Sequence, residues 1–212
     1  MTTPMQLIEG FQRFRARHFT DDDALYRQLV AQGQTPRIMV VACCDSRVDP
    51  AIVLDCAPGD LFVIRNVANL VPPLESRVGH HGTSAALEFG VCNLGVRHII
   101  VLGHAHCGGI RALMQRDDND ASAGHSFIGD WMTLAEEARA EALRALPDAS
   151  SEEQHRDCER RAILISIRNL RTFPWVRERM ERGELALHGW YFDIGQGRLL
   201  HYDEAAGEFE PF

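Results

Sequence analysis

Short continuous runs of apolar residues recur along the chain and alternate with segments of helical periodicity. Three runs, Ile38–Cys44, Leu61–Val67 and His98–Gly103, have the length and composition typical of strands buried on both faces of a sheet. Between the last two lies Thr83–Leu94, whose pattern is helical. Because strands that alternate with helices favour right-handed crossovers, the sequence predicts an α/β fold around a mostly parallel central sheet flanked by helices.

The pattern also predicts elements at both ends of the chain. Two helices precede the first strand, over Met5–Phe19 and over Asp21–Gln32, with Asp21 or Asp22 as the cap of the second. The rest of the chain is predicted to form two helices, a polar loop and a closing hairpin: Trp131–Leu146, Glu152–Arg171, Asp117–Gly124, and Leu187–Ile194 with Arg198–Tyr202. No internal repeat or linker interrupts this order, so one domain is expected.

Composition narrows the classes of partner. The 212 residues carry a formal charge of −8 and contain no run of Lys or Arg, which argues against nucleic acid or an anionic membrane surface. No apolar run approaches the roughly 18 residues of a membrane-spanning helix. The first residues are typical of an amphipathic helix and not of an export signal. We therefore expect a cytoplasmic protein whose six cysteines are reduced, some of them as metal ligands.

Two clusters of metal-binding side chains follow predicted strands. The run Cys43–Arg47 lies where the first strand ends, and Gly103–Gly109 lies at the end of another. Parallel sheets build their sites at the carboxyl ends of strands, so the two clusters can converge. His104 and Cys107 have the spacing that lets one short loop offer an imidazole and a thiolate to one ion.

The spacing leaves several readings open. Either Cys43 or Cys44 can add a second thiolate, and two thiolates with one imidazole suit tetrahedral zinc. Three ligands leave a fourth position for water or substrate, as in catalytic sites, but His106 or Cys44 could also complete a structural site. A buried cysteine on a strand can equally be a small core residue.

Taken together, the motifs resemble those of the β-carbonic anhydrases. The resemblance runs from about Leu7 to about Leu200 and is carried by Cys43-x-Asp45-Ser46-Arg47, Gly103-His104-x-x-Cys107-Gly108-Gly109, Pro58–Asn69, Asn169–Trp175 and Leu187–Trp190. It implies an α/β fold with an N-terminal helical arm, residues 1–33, that embraces a second protomer, and a zinc-binding core over residues 37–200. The implied assembly is a homodimer or a dimer of dimers.

The resemblance also assigns roles. It implies one Zn²⁺ per chain held by Cys43, His104 and Cys107, because the Asp-Ser-Arg run begins two residues after the ligand cysteine. Asp45 and Arg47 correspond to the family's dyad, which orients the zinc-bound hydroxide toward carbon dioxide. The implied activity is the reversible hydration of carbon dioxide to bicarbonate and a proton.

A substrate pocket and a subtype follow from the same resemblance. Gln34, Phe62, Val67 and Phe89 match pocket positions of the plant-like members, and the backbone N–H of Gly108 can donate to bicarbonate. Members regulated by a non-catalytic bicarbonate site carry Trp three residues before the ligand cysteine, where this chain has Val40. The open, plant-like form without that inhibition site is therefore expected.

Two other functions fit parts of the same pattern. A hydrolase of carbon disulfide or carbonyl sulfide could use the same ligands on a related fold. A non-catalytic zinc protein would not need the Asp45–Arg47 pair or Gln34, so these residues count against it. A Cys44 or Cys107 nucleophile with His106 as base fits poorly if zinc takes the thiolates.

Overall fold

The chain divides into two compact units, Met1–Thr35 and Pro36–Phe212. The structure, a computed structural model, describes residues 3–19, 25–74, 81–116 and 126–212. The expected single domain with an arm over residues 1–33 and a core over 37–200 stays a prediction.

The first unit contains helices α1 (Pro4–His18) and α2 (Leu25–Gln32), as the periodicity predicted to within a few residues. A capping box begins α1: the Thr3 hydroxyl accepts from the Gln6 N–H, and the Gln6 side chain accepts from the Thr3 N–H at 2.8 Å. The predicted caps of the second helix, Asp21 and Asp22, lie outside the described residues.

Aromatic side chains join the two helices of this unit. The ring of Phe14 lies 5.4 Å from that of Tyr26, and Phe19 stacks on Tyr26 at 5.1 Å. No residue of α1 or α2 is buried, and Leu7 and Phe11 expose 65% and 60% of their surface. The apolar face of α1 is therefore exposed among the described residues.

A six-stranded sheet forms the centre of the second unit. Its strands are β1 (Ile38–Cys43), β2 (Leu61–Asn66), β3 (His98–His104), β4 (Ala186–Asp193), β5 (Arg198–Asp203) and β6 (Glu208–Pro211). The order is β2-β1-β3-β4-β5-β6; the first four strands are parallel, and β5 and β6 are antiparallel. The predicted mostly parallel sheet is confirmed. Because β1 pairs with β2 on one side and β3 on the other, a crevice opens at the carboxyl ends of β1 and β3.

Helices cover the sheet. They are α3 (Pro50–Val53), α4 (Gly82–Glu88), α5 (Gly108–Met114), α6 (Phe127–Met132), α7 (Glu136–Ala145), α8 (Ser151–Leu170) and α9 (Pro174–Glu181). The largest core cluster combines Met39, Val41, Ile99 and Val101 from the strands with Ile163 of α8. None of the described helices has the length and apolar content needed to cross a membrane.

The predicted helices Thr83–Leu94 and Trp131–Leu146 are each interrupted. The first ends as α4 and continues as a π turn, Phe89–Asn93, in which the Leu94 N–H donates to the Phe89 carbonyl at 3.0 Å. The second consists of α6, a 3₁₀ turn and α7. The Thr133 hydroxyl donates to the Asp130 carbonyl at 2.6 Å, so this side chain competes with the helical hydrogen bonds at the break.

The closing hairpin is confirmed, with one strand added. Asp193 accepts from the N–H groups of Gly195 and Gln196 at 3.0 and 3.1 Å, and Gly197 adopts φ 62°. This turn reverses the chain from β4 into β5. Strand β6 extends the sheet without having been predicted, and the predicted polar loop Asp117–Gly124 lies outside the described residues.

Candidate metal centre

Three side chains converge at the carboxyl ends of β1 and β3. Cys43 is the last residue of β1, His104 is the last of β3, and Cys107 caps the start of α5. All three are buried, and their ligand atoms lie within 4.8 Å of one another. In the described part of the chain this is the group of His, Cys, Asp and Glu that could hold a metal ion.

The donor atoms fit a zinc ion. The sulfurs of Cys43 and Cys107 are 4.0 Å apart, close to the roughly 3.8 Å that two Zn–S bonds in tetrahedral geometry give. The Nδ1 atom of His104 donates to the Ala105 carbonyl at 2.9 Å, which leaves the lone pair on Nε2. Nε2 is buried and has no hydrogen bond within the described residues. A buried acceptor that faces two sulfurs without a partner is what a metal ligand requires.

The two thiols share one charge. The pKa of Cys43 is lowered to about 4, mainly by the hydrogen bond from Cys107 and against the cost of burial, with smaller contributions from His104 and from the N–H groups of Asp45 and Ala68. The hydrogen bond to Cys43 and burial raise the pKa of Cys107. The site thus already holds one thiolate, and a divalent cation would replace the remaining thiol proton.

Asp45 and Arg47 form a bidentate pair directly after Cys43. Asp45 Oδ1 accepts from the backbone N–H and the Nε of Arg47, both at 2.9 Å, and Oδ2 accepts from Nη2 at 2.7 Å. The hydrogen bonds from the Arg47 side chain hold the pKa of Asp45 well below its usual range. The carboxylate is therefore ionised and fixed in direction.

Arg65 of β2 fixes the turn that carries this pair. Its Nε donates to the Cys43 carbonyl at 3.0 Å, its Nη2 to the Asp45 carbonyl at 2.7 Å, and its Nη1 to Asp49 at 2.8 Å. Arg47 in turn donates from Nη2 to the His106 carbonyl at 3.1 Å. Hydrogen bonds thereby connect the Asp45–Arg47 pair to β2 and to residues 105–107, the second ligand loop.

The turn after β2 completes one wall of the site. Ala68 and Asn69 adopt left-handed conformations, with φ 62° and 49°, although neither is glycine. Asn66 brackets the turn by accepting from the Leu70 N–H at 2.9 Å and donating to its carbonyl at 2.8 Å. From this turn the Ala68 N–H helps to lower the pKa of Cys43.

The predicted pocket residues lie in different places. Val67 and Cys44 line a cleft of about 1040 Å³ beside the site, together with Trp131, whose indole N–H donates to the Val67 carbonyl at 2.8 Å. Cys44 is exposed, so the alternative that a cysteine of this strand is a small core residue does not hold for it. It lies one residue beyond the end of β1, where it points outward. Gly108 is the exposed first residue of α5.

Phe62 and Phe89 contact each other at a ring distance of 6.1 Å. In the pairing of β1 with β2, Phe62 lies opposite Met39 and Asn66 lies opposite Cys43. Phe62 is therefore four residues, or roughly 13 Å along the sheet, from the three metal-binding side chains. Gln34 is exposed and belongs to the first unit. The pocket roles of these three residues stay predictions.

The sequence reading missed a buried carboxylate at the site. Glu159 of α8 is 4% exposed and accepts from the Cys107 N–H at 2.9 Å. Burial raises the pKa of Glu159, while Tyr191 and the Cys107 N–H lower it. A signal was available: Glu159, Ile163 and Ile167 follow at intervals of four, which puts the carboxylate on the apolar face of α8.

Comparison with known proteins identifies relatives over most of the chain. A family model described as carbonic anhydrase matches residues 38–199. Beta carbonic anhydrase 3 of Arabidopsis thaliana is 38% identical over 192 residues, 91% of this chain and 74% of that protein. The solved β-carbonic anhydrase CcaA is 36% identical, with a TM-score of 0.89 over 98% of each chain. One of two tetrameric β-carbonic anhydrases from the ascomycete Sordaria macrospora is 28% identical, with a TM-score of 0.78 over 93% of each chain.

Proposed function

This chain belongs to the β-carbonic anhydrase family, and from that premise we propose that it uses one zinc ion to hydrate carbon dioxide reversibly to bicarbonate and a proton. The observation that carries the proposal is the convergence of two cysteine sulfurs and an unpartnered histidine Nε2, followed directly by a bidentate Asp–Arg pair. A protein that only stored zinc would need the three ligands and not the pair.

The three ligands have distinct tasks in this proposal. Cys43, His104 and Cys107 would hold the zinc, which supplies a Lewis acid that makes water a nucleophile near neutral pH. His104 is fixed as the tautomer that presents Nε2, because its Nδ1 donates to the Ala105 carbonyl. Burial of all three donors keeps bulk water from competing with the metal for them.

Asp45 would act as the acceptor that orients the attacking oxygen. Its hydrogen bonds to Arg47 keep it ionised, and an ionised carboxylate can only accept. It can therefore accept a hydrogen bond from the attacking oxygen and so turn a lone pair of that oxygen toward the carbon of carbon dioxide. The Gly108 N–H at the start of α5 would donate to bicarbonate.

Carbon dioxide has no net dipole and suits apolar surroundings. Val67 lines the cleft beside the ligands, and Phe62 with Phe89 offers a second apolar surface. Gln34 would bind substrate across a dimer interface. We propose a homodimer as the minimal unit and the cytoplasm as its location.

We further propose the open form of the site. Asp45 directs both oxygens to Arg47 and is not among the three residues that could hold a metal in the described part of the chain. Val40 is fully buried among the apolar side chains of Ala42, Ile100 and Leu102. The guanidinium of Arg65, on the neighbouring strand, already donates to Asp49 and to the Cys43 and Asp45 carbonyls. Hydration rates should therefore follow simple saturation, without cooperative inhibition as bicarbonate is raised at pH 8.

The test combines zinc content with stopped-flow hydration rates. Cys43→Ala should lose zinc and activity together, whereas Cys44→Ala, one residue away, should keep both. Asp45→Asn should keep one zinc per chain and lower kcat/KM by about 10²- to 10³-fold, because the oriented acceptor is lost.

The proposal fails if wild-type protein with one zinc per chain does not hydrate carbon dioxide. The role of Cys43 fails if Cys43→Ala keeps its zinc, and the role of Asp45 fails if Asp45→Asn retains full activity. Carbon disulfide and carbonyl sulfide should be measured in parallel, since faster turnover of either would identify a hydrolase instead.

A further inference from the structure

Helix α8 packs closely on β3, which leads into the second ligand loop (residues 105–107), and on the neighbouring strand β4. A Cβ on Gly103 would meet the side chain of Ile163 at 2.6 Å, and one on Gly189 would meet it at 3.1 Å. The two glycines, on neighbouring strands β3 and β4, therefore form a shallow groove for Ile163. Glu159 lies one helical turn earlier on the same face of α8, which brings its carboxylate to the end of β3.

The Glu159 carboxylate is buried and paired at both oxygens. Oε1 accepts from the Cys107 N–H at 2.9 Å, and Oε2 accepts from the Tyr191 hydroxyl at 2.7 Å. Tyr191 is 1% exposed, pairs with Gly103 in the sheet and has the Arg160 guanidinium 5.0 Å above its ring. The tyrosine is thus fixed from two sides and holds the carboxylate in turn.

One backbone N–H of the second ligand loop has this carboxylate as its hydrogen-bond acceptor. The Ala105 N–H donates to the Phe192 carbonyl at 2.9 Å, and the His106 carbonyl accepts from Arg47. His106 adopts φ 59°, so the peptide that follows it turns its N–H inward. That inward N–H belongs to Cys107 and donates to Glu159.

We infer that Glu159 is a positioning residue for the metal centre: its carboxylate, held by Tyr191, fixes the Cys107 peptide so that the Cys107 sulfur faces Cys43 and His104. The inference rests on the proposed zinc site and extends it to groups that do not touch the metal. It assigns to Glu159 and Tyr191 a share of the metal affinity. The effect acts through the accepting oxygen at Oε1.

The test measures zinc affinity by competition with a chelator and the thiolate-to-metal absorption of the cobalt-substituted protein. Glu159→Leu removes the acceptor and should weaken zinc binding about 10- to 100-fold, with weaker cobalt absorption. Glu159→Gln keeps an accepting oxygen and should stay within roughly threefold of wild type. Tyr191→Phe keeps the packing, removes the support of Oε2, and should lose about tenfold.

Cys158→Ala is the matched control, because Cys158 is fully buried on α8 next to Glu159 and its substitution leaves the Glu159 carboxylate and Tyr191 in place. It should lower the melting temperature of the metal-free protein and leave zinc affinity unchanged.

The inference is overturned if Glu159→Leu or Tyr191→Phe binds zinc as wild type does, or if Cys158→Ala loses as much affinity. It is also overturned if Glu159→Gln is as weak as Glu159→Leu. If Glu159→Leu does not fold, Tyr191→Phe decides. Failure of the wild type to bind zinc would instead refute the proposed function.

Discussion

Gly103, the residue before the histidine ligand, shows how one missing side chain sets the geometry of the site. A Cβ there would approach two atoms of Ile163, at 2.6 and 2.8 Å. Ile163 is fully buried, so it has little room to move. The glycine of the Gly-His motif is therefore required for helix packing, while the histidine beside it supplies chemistry.

We predict that Gly103→Ala destabilises the protein by about 1–3 kcal/mol, because α8 must move away from β3. Urea unfolding would measure this change. Ile163→Val should lower the free energy of unfolding less in the Gly103→Ala variant than in the wild-type protein, because valine lacks one of the two clashing atoms. Gly195→Ala, whose Cβ meets nothing closer than 3.4 Å, is the control and should change stability by less than about 0.5 kcal/mol. An unchanged unfolding midpoint for Gly103→Ala would contradict the packing argument.

At the scale of single residues, the sequence predicted the metal ligands better than it predicted the residues that hold those ligands in place. Cys43, His104 and Cys107 could be identified because each lies in a short motif at the end of a strand. Spacing alone could not choose between Cys43 and Cys44; the family motif did. Glu159 could not be placed at the site, because it is 52 residues from Cys107 and only the packing of α8 brings them together. The left-handed φ values of Ala68 and His106 carry no sequence signal, since neither residue is glycine.

At the scale of elements, the strands were predictable and the helix interruptions were not. Buried parallel strands appear as continuous apolar runs, so the bounds of β1, β2 and β3 were predicted to within one residue. A π turn shifts the helical face by one residue without changing composition, so the pattern of Thr83–Leu94 could not show it. Strand β6 has only four residues, too few to show a period.

An ion pair at the surface, between Glu137 of α7 and Arg168 of α8, makes a pH-dependent contribution to stability. Arg168 donates from Nη1 and Nη2 to the two oxygens of Glu137, the first at 2.7 Å. These hydrogen bonds lower the pKa of Glu137 from its ordinary value of 4.5. Both side chains are about half exposed, so solvent screens the pair.

We predict a coupling of at most about 1 kcal/mol between Glu137 and Arg168 at neutral pH. A carboxylate whose pKa is lowered in the folded state stabilises the fold at every pH above its pKa in the unfolded chain. This contribution is lost as the pH falls below about 4.5. A double-mutant cycle of Glu137→Gln and Arg168→Gln, measured by urea unfolding at pH 7 and again near pH 4, isolates the coupling. A coupling that grows on acidification would contradict the assignment.

At the scale of the whole molecule, the first unit has no core of its own among the described residues. Its two helices bury none of their residues, and Leu7, Ile8 and Phe11 leave an apolar face of α1 exposed. A face of this kind needs another surface to cover it. The family resemblance predicts that a second protomer supplies that surface, and the Sordaria relatives are tetrameric.

The dimer prediction can be tested on that face by light scattering after size-exclusion chromatography. We expect the wild-type protein to be a dimer or larger, and Phe11→Glu to weaken the assembly at least roughly tenfold, because the charge replaces an aromatic ring that would be buried. Gln12→Glu adds the same charge at the neighbouring exposed position and should leave the assembly intact. If Gln34 binds substrate across the interface, Phe11→Glu should also lose hydration activity while it keeps its zinc, since the three ligands come from one chain. Assembly unchanged in Phe11→Glu would mean that α1 does not form the interface, and activity unchanged in a monomer would remove Gln34 from the site.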